Sequence, residues 1–111
     1  MTGSDTLTTR DLGDGIVELQ LGRGPVNALS AAFLMEFAEL ITRLGTDDAV
    51  RCIILSSPFK VFSAGLDLKE AQHFDLGQQQ AIVRGLNEGF LALYACPKPV
   101  VASVGGAAIA G

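Results

Sequence analysis

Phe62-Ser63-Ala64-Gly65-Leu66-Asp67-Leu68 is the stretch around which the chain is read. Phe62 closes an apolar run, and the next three residues are small enough for a ligand to approach the main chain. Gly65 can also take a positive φ that strains other residues. Such a loop is suited to presenting backbone amides. A glycine-alanine loop alone is more often a plain turn. However, Val104-Gly105-Gly106-Ala107-Ala108-Ile109-Ala110-Gly111 repeats the same logic downstream. Amides from two such loops, converging on one oxygen, would stabilise negative charge developing on an acyl carbonyl.

The chain has 111 residues, enough for one domain or part of one. Its 49% apolar content is ample for a core, and 18% charged residues is a low fraction. That balance points to apolar surface buried against further protein. A net charge of -4, with no run of Lys or Arg, argues against a general nucleic-acid binder. Membrane contact is not expected either, because no apolar stretch is long enough to span. Cys52 and Cys96 sit far apart among apolar neighbours, with no CxxC spacing and no nearby His, so reduced, buried thiols are expected and no metal. The segment from Met1 to Leu7 lacks the basic and apolar regions of a signal peptide. Together these features point to a cytoplasmic protein.

Leu7 to Leu12 and Ile16 to Leu21, separated by Gly13-Asp14-Gly15, read as a hairpin. Gly22-Arg23-Gly24-Pro25 breaks the second strand, and Ser30 is a good N-cap. From Ala31 to Leu44, Phe33, Phe37, Leu40, Ile41 and Leu44 recur at helical spacing. Val50 to Ser56 reads as a strand whose run Cys52-Ile53-Ile54-Leu55 predicts burial on both faces. A short helical turn is expected from Asp67 to Gln72, and a long helix from Leu76 to Tyr94 with Ile82, Leu86, Phe90 and Leu93 on one stripe. Gly77, Gly85 and Gly89 weaken that helix, which implies close helix packing or a mobile N-terminal half. Val100 to Val104 follows as a buried strand. The pattern alone defines an α/β domain. His73 is the only histidine, has no visible partner and is given no role.

Taken together, Ile16-Val17-Glu18-Leu19, Pro25-Val26-Asn27-Ala28-Leu29, Cys52-Ile53-Ile54-Leu55-Ser56, Phe62 to Leu68, Pro97-Lys98-Pro99-Val100-Val101-Ala102 and the glycine-rich tail resemble the crotonase superfamily of enoyl-CoA hydratases and isomerases. The resemblance implies the ClpP/crotonase-like ββα spiral, with residues 1–111 as the N-terminal part of one crotonase-fold domain that ends inside the second oxyanion-hole motif. It further implies that the backbone amides of Leu66 and Gly111 form the oxyanion hole. Val26, Ala28, Ala64, Asp67 and Leu68 would then border coenzyme A, and Lys69 is a candidate phosphate contact beside its plainer reading as a solvated lysine.

The implied chemistry is fatty-acid metabolism on an acyl-CoA thioester: hydration of a 2-enoyl-CoA, or a double-bond shift through an enolate held in the hole. Phe62 to Leu68 looks more like the isomerase branch. Coenzyme A enters as part of the substrate, with no covalently bound cofactor, and a homotrimer or dimer of trimers is expected for a complete enzyme. Proton transfer needs a general acid or base, usually Glu or Asp, and the family's acid-base carboxylates follow the second glycine loop. The 111-residue chain by itself is therefore expected to be inactive, and Glu70 and Glu88 match no family position. A different class of function, a non-catalytic acyl-CoA-binding or assembly module of the same fold, is the alternative.

Overall fold

The computed structural model describes residues 6–109. Strands β1 (Leu7–Gly13) and β2 (Ile16–Leu21) pair antiparallel as the predicted hairpin. Gly13, Asp14 and Gly15 all take positive φ, and the Asp11 carboxylate accepts from the Gly13 amide at 2.8 Å. A two-residue strand, β3 (Ala28–Leu29), comes next, too short for any periodicity to mark it. Ser30 then caps α1 (Ala31–Thr46), its hydroxyl accepting from the Phe33 amide at 3.2 Å. This satisfies one of the amides that a helix start leaves without a partner.

β4 (Cys52–Ser56) lies parallel to β2, with Leu19 opposite Leu55, and β7 (Val100–Ala102) lies parallel to β4. The sheet order is β1-β2-β4-β7. Between β4 and β7 the chain makes β5 (Val61–Ser63), β6 (Gly65–Leu66), α2 (Leu68–Ala71) and α3 (Leu76–Ala95), and after β7 it makes β8 (Ala107–Ala108). Two small parallel ribbons, β3-β6 and β5-β8, stand apart from the main sheet.

The core joins Leu7, Leu19, Leu21, Ile53 and Leu55 of the sheet to Phe33, Phe37, Leu40, Ile41 and Leu44 of α1. Leu7, Leu19, Ile41 and Ile53 are wholly buried, each stabilising the fold by about 1.5–3 kcal/mol through area removed from water. α3 packs on α1 through its glycines. A Cβ at Gly85 would meet Leu34 Cβ at 3.2 Å and the Ala31 backbone at 3.3 Å, and Gly89 also faces Leu34. Close helix packing is thus what Gly85 and Gly89 serve, whereas a Cβ at Gly77 would meet only Asp75.

The structure corrects several expectations. β4 begins at Cys52, because Val50 is held in the preceding loop, where its amide donates to the Asp47 carbonyl and its carbonyl accepts from Lys98 Nζ. β4 also alternates: Ile53 and Leu55 are buried, whereas Cys52 and Ile54 are half-buried, since the helices described here cover only one face. Val101, Ala102 and Val104 are exposed, contrary to the buried strand predicted there. Phe90 is 44% exposed, because the contact face of α3 is centred on Ile82, Gly85 and Gly89. Both cysteines are free and half-buried, so the thiols are less enclosed than expected.

Candidate functional site

The loop that opens the sequence argument is suspended between the two small ribbons. β6 pairs with β3, setting Gly65 opposite Ala28 and Leu66 opposite Leu29, and β5 pairs with β8, setting Ser63 opposite Ala108. The amide of Ile109 donates to the Ser63 carbonyl at 2.9 Å, so the second glycine-rich segment runs beside the first. Gly106 makes that approach possible, since a Cβ there would sit 1.8 Å from the Lys60 carbonyl oxygen. The sequence pairs the two loops by composition, and the fold brings them together as far as Ile109. Ala110 and Gly111 lie outside the described residues, so the Gly111 amide named above has no described position.

Around Leu66 the backbone is turned by two left-handed residues, Gly65 at φ 83 in β6 and Asn27 at φ 52 just before β3. The amides of Ala64 and Asp67 donate across to the carbonyls of Val26 and Leu29, both at 3.0 Å. The Gly65 amide is taken by the Ser63 hydroxyl at 3.2 Å. The Asp67 amide, next in the chain after Leu66, is thus turned onto β3.

Three residues that hold this arrangement carry no role in the sequence reading. Asn27 is fully buried. Its side-chain oxygen accepts from the Arg23 amide at 2.8 Å, and its amide nitrogen donates to Ser57 Oγ and to the Phe62 carbonyl, each at 2.9 Å. Asn tolerates positive φ better than most side chains, so one residue both makes the turn and ties it to β5. Ser63, read only as small, is buried and bridges the ribbons: its hydroxyl donates to the Asn27 carbonyl at 2.9 Å while accepting from Gly65. Arg23, in the turn that includes the cis Gly24-Pro25 bond, donates to the Ala28 carbonyl and to Asp67 Oδ2 at 3.1 Å, and lies 3.6 Å from Glu70. Long sequence separations, from 30 to 44 residues, hide these partnerships.

Asp67 starts α2, its carboxylate accepting from the Glu70 amide at 3.2 Å. That backbone bond, reinforced by the Arg23 guanidinium against a smaller opposing effect of burial, holds its carboxyl below the usual carboxylate range. Val26, Ala28 and Ala64 are half-buried along the β3-β6 ribbon, Lys69 is exposed, and Leu68 opens α2. Glu70, Glu88 and His73 are exposed. Beneath Phe62 and Ser63 lies an apolar cavity of about 210 Å³, lined also by Phe33, Phe37, Phe90 and Leu93. A larger cleft of about 540 Å³ runs along the outer faces of α1 and α3, away from the loops. Among the described residues no cluster of His, Cys, Asp and Glu could hold a metal, and no helix is long and apolar enough to cross a membrane.

The enoyl-CoA hydratase/isomerase family profile matches residues 11–111, and the chain belongs to that family. It is 33% identical over 106 residues to a (7aS)-7a-methyl-1,5-dioxo-2,3,5,6,7,7a-hexahydro-1H-indene-carboxyl-CoA hydrolase of Rhodococcus jostii, covering 95% of this chain and 41% of that protein. It is 34% identical to the mitochondrial enoyl-CoA delta isomerase 1 of Rattus norvegicus, covering 87% of this chain and 34% of that one. The solved structure of human mitochondrial delta3-delta2-enoyl-CoA isomerase superposes with a TM-score of 0.84 at 31% identity, over 91% of this chain and 40% of that one. The fold is therefore the N-terminal portion of the crotonase fold. The chain spans 34–41% of the length of these relatives.

Proposed function

We propose that this chain supplies the oxyanion-hole half of an acyl-CoA thioester enzyme, with the Leu66 amide as one donor and the Gly111 amide as the other. The thioester carbonyl accepts from both amides. As the α-proton leaves, or as water adds at the β-carbon, the oxygen becomes an enolate oxyanion, and the two amides stabilise it more strongly than the ground state. The product is a 3-hydroxyacyl thioester in hydration, or a thioester with a shifted double bond in isomerisation. Val26, Ala28, Ala64, Asp67 and Leu68 border the coenzyme A moiety, and Lys69 lies on the exposed turn beside them. A general acid or base, usually Glu or Asp, must carry the proton, and neither Glu70 nor Glu88 is assigned that task.

The observation that carries this reading is the side-by-side course of the two loops, joined by the Ile109 amide on the Ser63 carbonyl. Relatives named as a hydrolase and an isomerase of CoA thioesters add to it. Residues 1–111 as the N-terminal part of one crotonase-fold domain, a cytoplasmic location, and a homotrimer or dimer of trimers for the complete enzyme round out the proposal.

Calorimetric titration with crotonyl-CoA, followed by assays of its hydration and of 3-enoyl-CoA isomerisation, tests it. Binding is expected of this chain, and turnover, measured where a segment supplying the acid/base group is present, assigns the branch. Leu66→Pro removes the single N–H and is expected to lower turnover by about 100-fold or more while acyl-CoA still binds. Absence of acyl-CoA binding by the folded protein would refute the reading.

A further inference from the structure

We propose that Arg23 is a positioning residue for the Leu66 amide, its guanidinium bracing the two chain segments that flank that amide; the inference rests on the oxyanion-hole reading above. One arm of the guanidinium donates to the Ala28 carbonyl on β3, and the other donates to Asp67 Oδ2 at 3.1 Å, immediately after Leu66. Glu70 Oε2 lies a further 3.6 Å from the same nitrogen. Leu66 thus sits on a strand whose far end and whose partner strand are fastened to one planar, rigid group.

The root of the side chain is equally fixed. The Arg23 amide donates to Asn27 Oδ1 at 2.8 Å, and the Arg23 carbonyl accepts from the Asn27 amide at 2.8 Å. The side chain itself is about three-quarters covered, at 26% exposure. A guanidinium has five N–H donors in a fixed fork and can serve a carbonyl and a carboxylate at once, whereas a lysine ammonium acts as a point charge on a flexible stem.

Its two functions separate by magnitude. As a partly exposed ion pair it adds little to stability. As a brace it governs where the Leu66 N–H points, and a displacement of about 1 Å at a reacting centre can cost roughly 100-fold in rate. The expected signature is a large loss at the hole with little loss of fold.

Difference infrared spectroscopy of bound crotonyl-CoA, carrying a carbon-13 label at the thioester carbonyl, reads the hole directly and needs no turnover. In the wild-type protein the bound carbonyl band moves to lower frequency as the amides polarise it. Arg23→Ala is expected to bind the thioester and to lose about half or more of that shift, because one of two donors is misaligned. Arg23→Lys keeps the charge facing Asp67 and Glu70 but not the fork, and it should lose part of the shift; it carries the test alone if Arg23→Ala does not fold. Arg10→Ala, which breaks an outlying ion pair with Glu18, should leave the band where it is in the wild type. The full wild-type shift in either folded Arg23 variant overturns the brace and leaves the proposed function standing. Wild-type protein that binds the thioester with no carbonyl shift overturns the oxyanion reading and the brace with it.

Discussion

Replacing Asn27 tests whether one buried amide organises the candidate site. In Asn27→Ala the Arg23 amide and the Phe62 carbonyl lose their partner inside the protein, while Ser57 Oγ retains its bonds to the Val61 carbonyl and the Phe59 amide. Each orphaned buried group costs about 1–3 kcal/mol. Alanine at φ 52 adds left-handed strain of about 1–2 kcal/mol. The total of roughly 3–8 kcal/mol is a large part of the ~5–15 kcal/mol that holds a domain together. Asn27→Gly removes the same hydrogen bonds without the strain, so it should be more stable than Asn27→Ala by about 1–2 kcal/mol. Urea unfolding followed by circular dichroism is the assay. With a slope of ~2 kcal/mol/M, the alanine variant should lose at least about 1.5 M in midpoint. A loss under ~0.5 M, or a glycine variant no better than alanine, would refute the reasoning.

Three further perturbations follow from particular contacts. Gly106→Ala places a Cβ against the Lys60 carbonyl oxygen, so β8 should leave β5, and faster amide exchange at Ile109 would report it; unchanged protection there contradicts the ribbon. Gly85→Ala brings a methyl to 3.2 Å from Leu34 and 3.3 Å from the Ala31 backbone; overpacking of about 1–3 kcal/mol should outweigh the gain in helix propensity, read as a lower melting temperature. The depressed carboxyl of Asp67 contributes stability that is present above its ordinary value of 3.8 and lost as pH falls through the lower folded value. Asp67→Asn keeps an acceptor for the Glu70 amide but not the charge, so the wild-type advantage in urea midpoint should shrink below about pH 4; an advantage constant from pH 6 to pH 2.5 would count against that assignment.

How far the sequence reaches depends on the separation of the partners. The hairpin, α1 and α3 are local objects: Gly13-Asp14-Gly15 makes its own turn, Ser30 caps its own helix, and Phe33, Phe37 and Ile41 repeat at the helical period. The left-handed backbone at Gly65 is legible for the same reason, because glycine alone takes it without strain. The strands β3, β6 and β8 are two residues each and carry no period, so only their pairing defines them.

The sequence by itself determined the family resemblance, the α/β alternation and the identity of the two small-residue loops. The tertiary structure decided that those loops lie side by side, that Ser63 and Asn27 are hydrogen-bonding residues rather than spacers, and that Arg23 reaches Asp67, 44 positions away. It also decided which apolar faces are covered: Ile53 is buried while Val101, two strands' breadth from the hairpin, is 54% exposed. The physical reason is that turns, caps and helical periods rest on interactions within a few residues. Burial and the aim of a backbone amide depend instead on what the fold brings alongside.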